Sequence, residues 1–185
     1  PGNANVGTTI LDGIKQTVSS STRVEYEADG DFGAAKDAAG APLIADASII
    51  VVGEKPYAEG KGDRADMSLA TADAELIDRV KARSKRVVVV LISGRPLVVT
   101  EQLPKWDAFV AAWLPGTEGS GVADGLFGNT PFSGKLPYTW PRWSSQLPLN
   151  VNMGVREGCD GPLFPFGFGL TAEMESPPQL DCPAK

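Results

Sequence analysis

The sequence RVVVVLI at residues 86–92 is a continuous apolar run behind a single arginine. Two further runs, ASIIVV at residues 47–52 and AFVAAW at residues 108–113, have the same character. Runs that are rich in β-branched residues and do not alternate with polar ones are typical of parallel strands covered on both faces. Weaker strand candidates lie at residues 22–26 and 97–99. The sequence therefore predicts a buried parallel sheet.

Helical periodicity appears before and between the predicted strands. Apolar residues recur at helical spacing over residues 8–18, which begin with a threonine cap, and over residues 71–82 and 120–127. Strands that alternate with helices predict an α/β fold, a three-layer sandwich with a mostly parallel sheet and helices on both faces. From about residue 129 onward, proline and glycine dominate and the periodicity ends, which predicts an irregular C-terminal wrap.

Composition limits the chemistry that the chain can perform. The 185 residues fit a single core, and they include no histidine and two cysteines. A histidine relay or a histidine-ligated metal is therefore excluded, and two cysteines do not complete a four-ligand zinc site. The net charge of −6 and the lack of a basic face argue against a nucleic-acid partner. No apolar run approaches the ~18 residues of a membrane span. We expect chemistry based on carboxylates, without metal or cofactor.

The two cysteines, Cys159 and Cys182, both lie in the last part of the chain. Either they form a disulfide or they are two unpaired thiols. The disulfide is favoured because nothing else would anchor such an irregular tail, and it indicates an oxidising compartment. We therefore expect a secreted or periplasmic protein. The chain begins at Pro1 without methionine or an apolar leader, so we expect a processed or truncated piece.

Candidate functional residues follow the ends of the predicted strands, where ligands bind in open α/β sheets. The loop GEKPYAEGKGDR at residues 53–64 contains Glu54 and Glu59, which can reach one small volume. A carboxyl group on such a loop acts as a general acid if burial raises its pKa toward neutrality. The alternative is a solvated loop whose charges pair locally. In the next loop, SGRP at residues 93–96, Arg95 is expected to tie the loops together by charge-assisted hydrogen bonds.

Two glycine-bearing stretches resemble nucleotide-binding loops but depart from them. In GTEGSG at residues 116–121 the glycines do not have the G-x-G-x-x-G spacing, and a glutamate would face the phosphate. The stretch at residues 128–135 is one residue too long for a P-loop, and leucine follows its lysine. A nucleotide-binding function is therefore disfavoured.

Five motifs in order resemble family 3 glycoside hydrolases, with β-glucosidases and exo-β-glucanases as the most similar members. The motifs are IIVVGEKPYAEGKGDR at 49–64, LISGRP at 91–96, AAWLPGTEG at 111–119, FSGKLPYTWP at 132–141 and PLFPFGFGL at 162–170. In that family an N-terminal (β/α)8 barrel carries an aspartate nucleophile. A following α/β sandwich domain supplies the acid/base glutamate. This chain is similar to the second domain, which we place at residues 1–170, with a C-terminal tail at 171–185.

The resemblance implies roles for five residues of the first loop. It assigns the general acid/base to Glu54, with Glu59 as the competing assignment. Tyr57, Asp63 and Arg64 are expected to shape or brace the loop. The implied reaction is retaining hydrolysis of a β-glucoside or β-glucan, which needs two carboxyl groups and no histidine. The implied partner is the barrel domain, which brings the second carboxyl group.

The chain departs from the family pattern at its start. In the family, this domain opens with another strand and a Gly-Gly-Trp segment, and Pro1 follows the position of that segment. We therefore predict that the isolated chain hydrolyses no glycoside. The alternative function is a non-catalytic carbohydrate-binding or structural domain of the same architecture.

Overall fold

The computed structural model describes residues 6–149, 158–171 and 182. In this part of the chain, three parallel strands form a sheet in the order β1-β2-β3. The strands are β1 at Ser48–Gly53, β2 at Val87–Ile92 and β3 at Ala108–Trp113. Each strand lies within one residue of its predicted apolar run, so the prediction of a parallel sheet is confirmed.

Three α-helices accompany these strands: α1 at Ile10–Thr17, α2 at Thr71–Lys81 and α3 at Gly119–Leu126. A threonine caps α1, one residue later than predicted: it is Thr9 and not Thr8 whose side chain accepts a hydrogen bond from the Asp12 backbone N–H. This bond satisfies one of the amides that the first turn of a helix leaves unpaired.

Successive side chains of a strand point to opposite faces of the sheet, and helix α2 packs on one of these faces. Val89 and Leu91 of β2 share one buried cluster with Ile77 and Val80 of α2. Val90 points to the other face and is also fully buried. Helices α1 and α3 pack against each other, so closely that a Cβ on Gly13 would lie 2.9 Å from the Ser120 Cα. The predicted α/β sandwich is confirmed.

The C-terminal part wraps the sheet without regular elements, as predicted. Beyond residue 129, the described residues form only two 3-10 turns, at Ser144–Gln146 and Gly158–Asp160. Trp140 anchors the wrap: it is 1% exposed, and its Nε1 donates to the Leu97 carbonyl oxygen at 2.7 Å. The backbone of Trp140 also pairs with that of Phe164.

Cys159 and Cys182 form a disulfide, as favoured from the sequence. This bond ties residue 182 to the turn at Gly158–Asp160. The rest of the predicted tail at 171–185 lies outside the described residues, apart from residue 171. None of the described helices has the length and hydropathy of a membrane-spanning helix.

Two weaker strand predictions were wrong. Residues 22–26 pair with no strand in the described ranges, and Tyr26 is 60% exposed. Residues 97–99 make only one bridge, between Val98 and Ser68. Residues that favour strands form a ladder only where a neighbouring backbone offers donors and acceptors, and propensity does not reveal that neighbour.

Candidate active site at the carboxyl end of the sheet

The parallel register of the sheet brings two loops together at one edge. Gly53, the last residue of β1, pairs with Ile92, the last residue of β2. The backbone N–H of Glu54 donates to the Ile92 carbonyl oxygen at 3.0 Å, and that of Ser93 donates to the Trp113 carbonyl oxygen at 3.1 Å. The first residues after β1 and β2 are therefore neighbours, as the sequence predicted for loops at the carboxyl ends of parallel strands.

Gly53 allows this close approach. A Cβ at this position would collide with the carbonyl oxygen of Ile92. Glycine is required here because β1 and β2 converge just before the loop begins.

The Glu54 carboxylate accepts hydrogen bonds from three side chains. Arg95 donates to Oε1 from Nη2 at 2.9 Å and from Nε at 3.1 Å. Ser93 Oγ lies 2.6 Å from Oε2, and Tyr57 Oη donates to the same oxygen at 3.1 Å. The Glu54 side chain is only 11% exposed. Both of its oxygens are occupied by donors from the protein.

The Ser93 hydroxyl lies between two acceptors. The Ser93 hydroxyl lies within hydrogen-bond distance of both the Glu54 carboxylate and the Arg95 carbonyl oxygen, at 2.6 and 2.8 Å. A hydroxyl has one proton, so it donates to one of the two acceptors at a time. The shorter distance and the negative charge favour the carboxylate, since charge-assisted hydrogen bonds are the stronger ones.

The electrostatics of the site keep Glu54 charged. Burial is the largest single influence and would raise the pKa of Glu54. The hydrogen bonds from Arg95, Ser93 and Tyr57, together with the charge of Arg95, outweigh it, so the pKa of Glu54 is lowered. The hydrogen bond to Glu54 raises the pKa of Arg95, while burial opposes that rise. Burial, followed by the contact with Glu54, raises the pKa of Tyr57. The site therefore holds an anion, a cation and a neutral phenol.

The lowered pKa of Glu54 works against its expected role as the proton donor. A proton donor must carry its proton before the reaction, and a lowered pKa disfavours that state. The surroundings of Glu54 stabilise the opposite state. The acid/base role of Glu54 stays a prediction, and its contacts are those of a residue that organises a loop.

Glu59 has a different environment on the same loop. It begins the 3-10 turn Glu59–Gly62 and has a backbone φ of +48°. Residues other than glycine adopt that conformation at a cost of roughly 1–2 kcal/mol. The side chain is exposed and contacts no partner among the described residues by hydrogen bond or ion pair. Glu59 therefore takes no part in the hydrogen bonds that surround the Glu54 carboxylate.

The other predicted loop residues lie around this network. The Arg64 Nη1 is 3.9 Å from Glu54 Oε1, and its Nη2 donates to the Ser68 carbonyl oxygen at 2.9 Å. Asp63 closes the turn, because its backbone N–H donates to the Gly60 carbonyl oxygen at 3.3 Å. Arg64 therefore contacts both Glu54 and the chain that leads to α2.

Arg95 connects the loops, as expected from the sequence. Besides its contacts with Glu54, its Nη1 donates to the Gly62 carbonyl oxygen at 2.6 Å. Its guanidinium carbon lies 4.2 Å from the centroid of the Tyr57 ring, a cation–π contact. Sequence reasoning missed Ser93. The available signal was its position, since Ser93 directly follows β2 as Glu54 directly follows β1.

Within residues 6–149 and 158–171 and at residue 182, no group of three or more carboxylates or thiols is arranged to hold a metal ion.

Comparison with known proteins identifies the family. The family model described as the glycosyl hydrolase family 3 C-terminal domain matches residues 1–172. A beta-xylosidase of Formosa agariphila is 33% identical over 93% of this chain and 26% of its own length. A periplasmic beta-glucosidase of Salmonella typhimurium is 35% identical over 69% of this chain and 19% of its own length.

Solved structures agree with the sequence comparisons. A mutant of an exo-1,3/1,4-beta-glucanase from Pseudoalteromonas is 34% identical, with a TM-score of 0.71, over 94% of this chain and 28% of its own. A beta-glucosidase from Listeria innocua in complex with glucose is 26% identical, with a TM-score of 0.69, over 90% of this chain and 26% of its own. The chain thus spans about a quarter of the length of these relatives. It belongs to glycosyl hydrolase family 3, as a C-terminal domain of that family.

Proposed function

We propose that this chain supplies the acid/base carboxyl group for retaining hydrolysis of β-D-glucosidic bonds. An N-terminal barrel domain would provide the aspartate nucleophile. Family membership supports the proposal, as do relatives and solved structures named as beta-glucosidases. The chemistry also fits, because retaining hydrolysis needs two carboxyl groups about 5–5.5 Å apart and no histidine. The loop after β1 offers two glutamates, Glu54 and Glu59, as candidates for the acid/base group.

The geometry favours Glu59 as the proton donor and Glu54 as the residue that organises the loop. Glu54 is 11% exposed, occupied on both oxygens, and has a lowered pKa. To donate a proton to a sugar oxygen, it would have to break its contacts with Arg95, Ser93 and Tyr57. Glu59 is exposed and has no such contacts to break. The observation that carries this assignment is the pairing of Glu54 with Arg95.

The reaction then has two steps. In the first, the barrel aspartate attacks the anomeric carbon while the Glu59 carboxyl protonates the departing oxygen. In the second, the Glu59 carboxylate takes a proton from water, which attacks the same carbon and releases the aspartate. The substrate sits between the two domains, so the isolated chain would hydrolyse no glycoside.

The alternative is a non-catalytic carbohydrate-binding or structural domain, and the occupied oxygens of the Glu54 carboxylate favour it. If Glu54 were the only carboxyl group of the loop near the substrate, its saturated contacts would leave no proton donor. The alternative therefore depends on Glu59 taking no part in the reaction.

The proposed location is an extracellular or periplasmic one. The disulfide between Cys159 and Cys182 supports this, since such bonds persist in oxidising compartments. The similarity to a periplasmic beta-glucosidase points the same way.

The test compares Glu59→Gln and Glu54→Gln in the complete enzyme, with hydrolysis of an aryl β-glucoside as the assay. We expect Glu59→Gln to lower turnover by about 10²–10⁴-fold, the range for loss of general acid–base catalysis. Azide, which needs no general base to attack, should restore turnover and yield a β-glucosyl azide. Glu75→Gln, an exposed glutamate of α2, is the matched control and should behave as the wild type.

The two glutamates give different outcomes. Azide rescue of Glu54→Gln alone would return the assignment to Glu54. If azide rescues neither variant, the acid/base role is refuted for this loop and the non-catalytic domain is supported.

A further inference from the structure

We propose that Arg95 is a positioning residue for proton transfer, because its guanidinium holds both ends of the segment that carries Glu59. This inference rests on the proposed function, with Glu59 as the proton donor. It adds a residue from a different loop, the one that follows β2.

The contacts of Arg95 define the segment. Two of its nitrogens bind Glu54, the first residue after β1, and the third binds the carbonyl oxygen of Gly62. Gly62 is the last residue of the 3-10 turn that Glu59 begins. One planar side chain thus joins residue 54 to residue 62, and Glu59 lies between these two anchors.

Tyr57 completes the support of this segment. The guanidinium of Arg95 lies over its ring, and a Cβ on Gly62 would collide with that ring. A Cβ on Gly94 would lie 3.0 Å from the Tyr57 hydroxyl oxygen. The guanidinium of Arg95 thus stacks on the Tyr57 ring, and the absence of side chains at Gly62 and Gly94 leaves the room that the ring needs.

The role requires arginine because of its shape. A guanidinium presents donors in a rigid fork, which can bind a carboxylate on one edge and a carbonyl oxygen on another. All three nitrogens of Arg95 donate within the protein, and the side chain is 21% exposed. Arg95 therefore acts through the loop and not by binding the sugar itself.

The φ of +48° at Glu59 makes the position of its carboxyl group depend on the anchors. A backbone held in a sparsely populated conformation persists only when its surroundings enforce it. Without Arg95, we expect the loop to relax and Glu59 to move from the departing oxygen. A displacement of about 1 Å can reduce a reaction rate by about 10²-fold.

The experiment uses leaving groups that differ in their need for a proton. A phenyl β-glucoside needs protonation of its departing oxygen, whereas a dinitrophenyl β-glucoside does not. In the complete enzyme, we expect Arg95→Met to lower kcat/KM about 10–100-fold for the phenyl substrate and less than about threefold for the dinitrophenyl one. Arg95→Lys should recover part of the loss, because an ammonium group retains the charge but cannot bind both anchors.

The controls separate positioning from a general loss of structure. Arg86→Met removes an exposed arginine that pairs with Asp107 far from the loop, and it should leave both substrates unaffected. An equal loss for both substrates in Arg95→Met, or no loss for either, overturns the proposal. Arg95→Lys provides a second reading if Arg95→Met does not fold.

The same assay distinguishes failure of this inference from failure of the proposed function. Glu59→Gln should show the same dependence on the leaving group, with azide rescue. If it does not, the assignment of Glu59 fails and the inference fails with it. If Glu59→Gln behaves as expected but Arg95→Met does not, only the positioning role is refuted.

Discussion

Glu54→Gln removes the charge of one partner in the Glu54–Arg95 pair while keeping its shape. A double-mutant cycle with Glu54→Gln, Arg95→Met and the double variant isolates the coupling free energy of the pair. The assay is urea denaturation of the chain, followed by the fluorescence of its tryptophans. Trp140 is in the core and reports the loss of tertiary structure.

The magnitude follows from the contacts. Arg95 donates two hydrogen bonds to the carboxylate, at 2.9 and 3.1 Å, in a site where the two side chains are 21% and 11% exposed. A hydrogen bond to a charged group contributes about 1.5–3 kcal/mol, whereas exposed ion pairs contribute about 0.2–1 kcal/mol. We expect a coupling of about 1.5–3 kcal/mol at pH 7. The control pair, Arg86 and Asp107, is more exposed and should give less than about 1 kcal/mol.

The pH dependence of this coupling has a definite sign. The pKa of Glu54 is lower in the folded state than in the unfolded state, so the unfolded chain binds its proton more readily. The coupling should be fully present above the ordinary glutamate pKa and decline as pH falls through the lowered value. A coupling below about 0.5 kcal/mol at pH 7 would contradict a strong Glu54–Arg95 pair. So would a coupling that grows on acidification.

Three further predictions concern stability, measured by urea denaturation. Gly53→Ala should destabilise the chain by about 2–4 kcal/mol, because the added Cβ collides with the backbone of β2. The control Gly121→Ala, which has open space in α3, should stabilise the chain by up to about 1 kcal/mol. Equal effects of the two substitutions would contradict the close approach at Gly53. Trp140→Phe should cost about 1–3 kcal/mol or more, since the Leu97 carbonyl oxygen loses its donor, and no loss would show that this hydrogen bond is dispensable. Cys159→Ser should lower the free energy of unfolding by about 3 kcal/mol, because it opens the loop closed by the disulfide, whose cysteines are 23 residues apart. Unchanged stability would indicate that the C-terminal wrap is held without the disulfide.

The sequence was sufficient for the elements whose signal is local. The apolar runs of β1, β2 and β3 and the threonine cap of α1 gave element positions that agree with the structure to within about two residues. The loop with Glu54 and Glu59 was located for the same reason, because it directly follows a strand that the runs identify. The prediction for residues 22–26 failed because a strand needs a partner, which is not a local property.

The sequence alone could not show which of the two glutamates is paired and which is free to act as a proton donor. Glu54 and Glu59 are five positions apart on one loop and have the same side chain. Their different chemistry arises from Arg95 and Ser93, which follow a different strand about 40 residues later. Only the parallel pairing of β1 with β2 brings those groups to Glu54.

Periodicity and turn chemistry act over short distances along the chain, so they were enough to predict the sandwich, its helices and the edge from which the loop of Glu54 and Glu59 starts. Which glutamate is held as an anion and which is left exposed follows only from the folded chain. A pKa depends on burial and on the charges and donors within a few ångströms, and folding brings these from distant parts of the chain.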